Sequence, residues 1–90
     1  MTKATIKITT LIKNNLTKII PELEGEEIDV HVPFVDIGAN SLDRVKLVTL
    51  TLETLGLEVS RVKFVAAQTI NELVGLIILY IFFKQPRVSH

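Results

Sequence analysis

Ninety residues set the size of one domain, and a chain this short buries roughly 60–65% of its unfolded surface on folding. Apolar residues make up 48% of it, so a core is available, and the absence of cysteine excludes disulfides and thiolate metal sites. A formal net charge of zero argues against nucleic acid as the main partner.

The opening Met-Thr-Lys-Ala-Thr-Ile-Lys lacks the apolar core of a signal peptide, so a cytoplasmic protein is expected. From Thr5 to Ile20, residues Ile8, Ile12, Leu16, Ile19 and Ile20 keep a helical stripe, with Lys7, Lys13 and Lys18 largely outside it. The many threonines make this helix intrinsically weak, so tertiary packing must hold it. Pro21 ends it. The connection from Glu22 to Asn40 is acidic at first and mostly apolar from Val30 to Ile37, which gives so long a loop the means to pack down.

A second helix is predicted from Ser41 to Leu55, where Leu42, Val45, Val48, Leu52 and Leu55 recur, with Gly56 placed as a left-handed C-cap. A short helical turn is expected at Ser60 to Ala66, with Val62, Phe64 and Val65 facing in. The last helix starts at Thr69, where Thr69-Ile-Asn-Glu72 has the form of a capping box, and Pro86 marks its limit. Its apolar run, Leu73 to Phe83, falls well short of the roughly 20 residues a membrane span needs. One face should enter the core. The excess apolar surface would cover another subunit or form a sticky end closed by Lys84 and Arg87. No basic polar face accompanies it, which argues against a membrane-surface anchor. No internal repeat is present. These elements predict an all-α domain over 1–90, with its core over 5–83 and a flexible tail at 84–90.

Ser41 stands where a glycine-containing loop turns into a helix, at or next to an N-cap, with its side chain facing water near unpaired backbone N–H groups. Two readings follow. The hydroxyl can cap the helix, which is what helix-starting serines usually do. It can also be an attachment point, since an open hydroxyl beside a positive helix end suits a covalently linked phosphate.

The surrounding string, Phe34-Val-Asp-Ile-Gly-Ala-Asn-Ser41-Leu-Asp-Arg-Val45, resembles the acyl and peptidyl carrier proteins. Their hallmark is Asp-x-Gly-x-Asp-Ser-Leu, and Asp36, Gly38, Ser41 and Leu42 match it, while Asn40 replaces the second Asp. The likeness covers about residues 5 to 80 and implies the family's four-helix bundle of three longer helices and one short, with a long first loop. It also implies a 4′-phosphopantetheine arm, taken from coenzyme A by a phosphopantetheinyl transferase and carried on Ser41. Gly38 would free the backbone to turn. Asp36 would bond loop amides or act as a plain turn former. Leu42 would contact partner enzymes. An aspartate in place of Asn40 is associated with docking the transferase and its magnesium, so asparagine leaves transferase preference open.

The second helix carries Asp43, Arg44, Lys46 and Glu53, a mixed surface unlike the acidic one of fatty-acid carriers, which disfavours that class. Gly-Ala-Asn-Ser-Leu-Asp-Arg-Val and Thr-Leu-Glu-Thr-Leu-Gly-Leu look most like the freestanding donor carriers of polyketide β-branching cassettes. That resemblance implies an acetyl or malonyl thioester, a hydroxymethylglutaryl-CoA-synthase-like enzyme, and an acyltransferase and decarboxylating ketosynthase-like enzyme as partners. Asp43, Arg44, Val45, Lys46 and Phe64 are the candidates for partner discrimination. Against this, Arg44 and Lys46 suit a solvated helix face, and Val45 and Phe64 suit the core.

Other classes fit less well. A serine hydrolase needs a base, yet His31 and His90 are the two histidines and no Gly-x-Ser-x-Gly elbow exists. The acidic loop lacks the ligand spacing of a calcium site. The rivals that stand are an unmodified carrier-like interaction subunit working through its apolar last helix, and a peptidyl or aminoacyl carrier.

Overall fold

The computed structural model describes residues 2–84, which form helices and short helical turns with no strand among them. The α-helices are α1 (Lys3–Ile19), α2 (Ser41–Leu55), α3 (Val62–Val65) and α4 (Ile70–Leu79). Short 3-10 turns occupy Pro21–Leu23 and Phe34–Ile37, and a wider π turn occupies Tyr80–Lys84. This is the all-α arrangement expected: three longer helices, one short, and a long first loop. The expectations for the Lys84 side chain, Pro86, Arg87, His90 and the tail at 84–90 lie outside what is described.

Helix α1 begins earlier than the apolar stripe suggests, because Thr2 caps it by accepting the Thr5 N–H at 3.1 Å. Its first turn holds no acidic residue, and the Thr9 hydroxyl donates to the Thr5 carbonyl at 2.7 Å, so intrinsic helicity is low. Packing against α2 and α4 holds it instead. Ile8, Ile12 and Leu16 are buried there, each contributing about 1.5–3 kcal/mol.

The long loop is tied down at both levels. Ile28 and Phe34 enter the core, while the Phe34 N–H donates to the Gln68 carbonyl at 2.7 Å and the Asn71 N–H to the Val30 carbonyl at 3.0 Å. These bonds clamp the loop to the start of α4. Val35 is the exception among the loop's apolar residues, at 72% exposed. A single tight turn cannot bury every side chain it carries, and Phe34 takes the inward place.

Helix α2 has the predicted bounds, and Gly56 closes it with φ +71° while the Leu57 N–H returns to the Leu52 carbonyl at 2.9 Å. Its buried face differs from the predicted stripe. Leu47, Val48, Thr51 and Leu52 point inward, whereas Val45 and Leu55 are half-buried; Leu42 is exposed, as a residue meant to contact partners must be. Thr51 belongs inside because its hydroxyl accepts from the Asn15 side-chain amide at 3.2 Å. Asn15 and Thr51 are the buried polar residues among those described.

Val62 is 76% exposed, contrary to its expected inward placement, because one turn of α3 buries Phe64 and leaves the opposite side in solvent. The Phe64 ring meets Tyr80 edge-on, centroids 6.2 Å apart. At the start of α4, Thr69 accepts the Glu72 N–H at 3.0 Å, but the Glu72 carboxylate reaches Gln68 N–H at 2.9 Å rather than Thr69. Ile70, Leu73, Val74 and Ile77 fill the core, and Leu79, Phe82 and Phe83 form the expected apolar excess. Among the described residues no helix is long and apolar enough to cross a membrane.

Thr51→Val should strand the buried Asn15 amide and cost about 1–3 kcal/mol. For a domain of this size that lowers Tm by roughly 5–15 °C in a thermal melt followed by circular dichroism. The double variant Asn15→Leu/Thr51→Val, which removes both polar groups, should recover most of the loss.

Candidate attachment site at Ser41

Three local devices bring Ser41 to the surface. Phe34 and Ala39 are buried and pin the chain on either side of a tight turn, with the Ala39 N–H donating to the Phe34 carbonyl at 3.0 Å. Between them Gly38 sits at φ +91°, where an L side chain would cost about 1–2 kcal/mol even though the space beside it is open. Asn40 then takes an extended backbone and caps α2.

That cap removes the capping reading of Ser41. The Asn40 Oδ1 accepts the Asp43 N–H at 2.8 Å, and the Asp43 carboxylate accepts the Asn40 N–H at 3.1 Å. The box is closed without Ser41, which is the first residue of the helix and is exposed. The serine hydroxyl is free of capping duty.

The Ser41 Oγ accepts a long hydrogen bond, 3.3 Å, from Nη2 of Arg44 one turn further on. Arg44 is half-buried, so it is not a plain solvated residue. Its Nε is shut off from water and has no hydrogen-bond partner. Such an unpaired donor costs about 1–3 kcal/mol. Around the pair lies a cleft of about 320 Å³ lined by Pro33, Val35, Ala39, Asn40, Ser41, Arg44 and Gln68.

No histidine lines this cleft. His31 is exposed, with its backbone N–H bound to the Asp29 carboxylate at 2.9 Å, so the arrangement offers Ser41 no general base. A larger open cleft between α1 and the acidic loop, about 760 Å³, shares no residue with the serine's. Among the described residues no cluster of His, Asp and Glu could hold a metal ion. What the site offers is an exposed hydroxyl, a helix N-terminus and a cation, which suits a phosphate ester.

The other predicted residues separate into groups. Leu42 (61% exposed) and Lys46 are at the surface beside Ser41, and Val45 is half-buried. Asp43 uses its carboxylate in the cap. Asp36 is exposed on the turn, with its own N–H bonded to the Pro33 carbonyl at 2.9 Å. No described amide reaches its carboxylate, which fits the turn-forming role and not the amide-bonding one. Phe64, 1% exposed, has no surface to offer a partner, because its ring is needed in the core. Sequence reasoning missed Val35, exposed on the wall of the cleft, and the capping role of Asn40. The Asn-Ser-Leu-Asp spacing carried the second of these signals.

Comparison with known proteins agrees with this geometry. A family described as "Phosphopantetheine attachment site" matches residues 10–77. The chain is 31% identical over 67 residues to the polyketide biosynthesis acyl-carrier-protein AcpK of Bacillus subtilis (strain 168), a stretch covering 74% of this chain and 82% of that protein. No solved structure matches. The match spans the loop, the exposed serine and the helices that hold them, and the chain belongs to the acyl carrier proteins, whose prosthetic group is covalently attached 4′-phosphopantetheine.

Proposed function

We propose that Ser41 is the attachment point and that the chain works as a single, non-catalytic carrier domain in polyketide biosynthesis. The observation that carries this is the closed Asn40–Asp43 box, which leaves the neighbouring serine exposed and its hydroxyl free of capping duty. In the transferase, the Ser41 Oγ bonds to the phosphorus on the pantetheine side of coenzyme A. The adenosine bisphosphate half leaves with the electrons of the broken P–O bond, and the hydroxyl proton passes to a base of the transferase. The attached arm supplies a thiol that holds acyl groups as thioesters. The chain's own work is positional. Gly38 and the cap hold the oxygen at the helix end, and exposed Leu42 and Val35 give partner enzymes an apolar rim to recognise. Tethering raises the effective concentration of the acyl group at enzymes that read this surface.

The finer reading is an acetyl donor, loaded as acetyl or malonyl, for a hydroxymethylglutaryl-CoA-synthase-like β-branching enzyme. An acyltransferase and a decarboxylating ketosynthase-like partner act upstream, in the cytoplasm. The relative's role in polyketide biosynthesis and the mixed charge of α2 support it. A second reading, an unmodified interaction subunit, is favoured by the exposed Leu79, Phe82 and Phe83 at the end of the chain's last helix.

Incubation with coenzyme A, magnesium and a broad-specificity phosphopantetheinyl transferase should add the mass of one arm to the wild type and none to Ser41→Ala. An unmodified wild type, or an arm gained by the alanine variant, rejects the carrier reading in favour of the interaction subunit. With the arm in place, Leu42→Ala should reduce acetyl transfer to a synthase-like partner about tenfold, as the loss of roughly 1–2 kcal/mol of apolar contact predicts. An unchanged rate would remove Leu42 from the partner surface, and equal transfer from a fatty-acid carrier would remove the β-branching assignment.

A further inference from the structure

We infer that Arg44 is a positioning residue for the phosphodiester that joins the arm to Ser41, gripping it with the paired N–H groups of Nε and Nη2. The inference rests on Ser41 being the attachment point.

The guanidinium is a rigid planar fork in which Nε–H and one N–H of Nη2 lie parallel on the same edge. In the unmodified protein the Nη2 end of this edge meets Ser41, reaching the serine oxygen at 3.3 Å. Its other tooth, Nε–H, is sealed from water and satisfied by nothing. The fork is half used. A serine hydroxyl is one neutral oxygen and engages a single tooth at a stretched distance. A phosphodiester built on that oxygen adds two non-bridging oxygens that share one negative charge, the kind of acceptor pair that arginine binds bidentately. Backbone spacing favours the grip as well, since positions three apart share a helix face.

The surrounding charges are consistent with it. Asp43 is adjacent, but its carboxylate is committed to the Asn40 N–H and lies in the cap. Lys46 is exposed and would provide a point charge without a fork. Arg44 lines the same cleft as Ser41, together with Pro33, Val35 and Gln68, so a gripped phosphate would fix the root of the arm along that cleft. Arg44 would act on the arm before any partner enzyme arrives.

The test compares unmodified and modified protein, each checked by intact mass, in proton–nitrogen spectra that resolve arginine Nε–H signals. The Arg44 signal is identified by its loss in Arg44→Lys. Modification should move this signal downfield and slow its exchange with water severalfold. The phosphorus-31 resonance of the modified wild type should differ from that of modified Arg44→Gln and Arg44→Lys, which should lie close to free phosphopantetheine diesters. Circular dichroism establishes that both variants are folded. If the wild type gains its arm but the Arg44 Nε–H signal does not respond to modification and the phosphorus resonance is the same in the wild type and both variants, the grip does not exist, while the role of Ser41 stands. If no arm is gained, or Ser41→Ala gains one, the attachment reading fails and the grip fails with it.

Discussion

The reciprocal bonds between Asn40 and Asp43 are the constraint on which the rest of the site depends. A helix N-terminus must satisfy its leading N–H groups, and the nearest hydroxyl is usually recruited to do so. Here an amide one residue before Ser41 and a carboxylate two residues after it satisfy each other's backbone instead. The serine is left as the first helical residue, exposed, with its oxygen outside the cap. Chemical availability is thus a by-product of local hydrogen-bond accounting.

That accounting holds because the loop ahead of it cannot drift. Phe34 is buried, its N–H is bound to the Gln68 carbonyl, and the Val30 carbonyl receives the Asn71 N–H. A connection of this length would otherwise carry a large entropy cost on fixing its end. By spending its apolar residues on the core and its backbone on the start of α4, the loop becomes part of the bundle. The left-handed turn at Gly38 then sets the angle at which the chain enters α2.

Much of this was legible from residue order. The bounds of α2 could be read because polar capping residues precede its stripe and Gly56 follows it, and the α1 stripe of Ile8, Ile12 and Leu16 repeats for long enough to define a face. Other features were not. Asn40 and Ser41 are both good capping residues, and only the extended backbone of Asn40 (ψ −176°) says which one caps. Val62 and Val35 lie in single turns, too short for periodicity to choose a side. The spacing of Ser41 and Arg44 is visible in the chain, but the rotamer that joins them is not. The burial of Asn15 was not legible either, because its partner is 36 residues away.

The Asn15–Thr51 pair has a consequence beyond its own strength. Ile, Leu and Val side chains on α1 and α2 can mesh in more than one way, because apolar contact is non-directional. A hydrogen bond is directional, and it can form here in one alignment of the two helices. Sliding α1 along α2 by a turn would leave both groups facing hydrocarbon. The pair therefore works as a registration key, rejecting shifted bundles in which the end of α2, and the serine on it, would come to rest elsewhere.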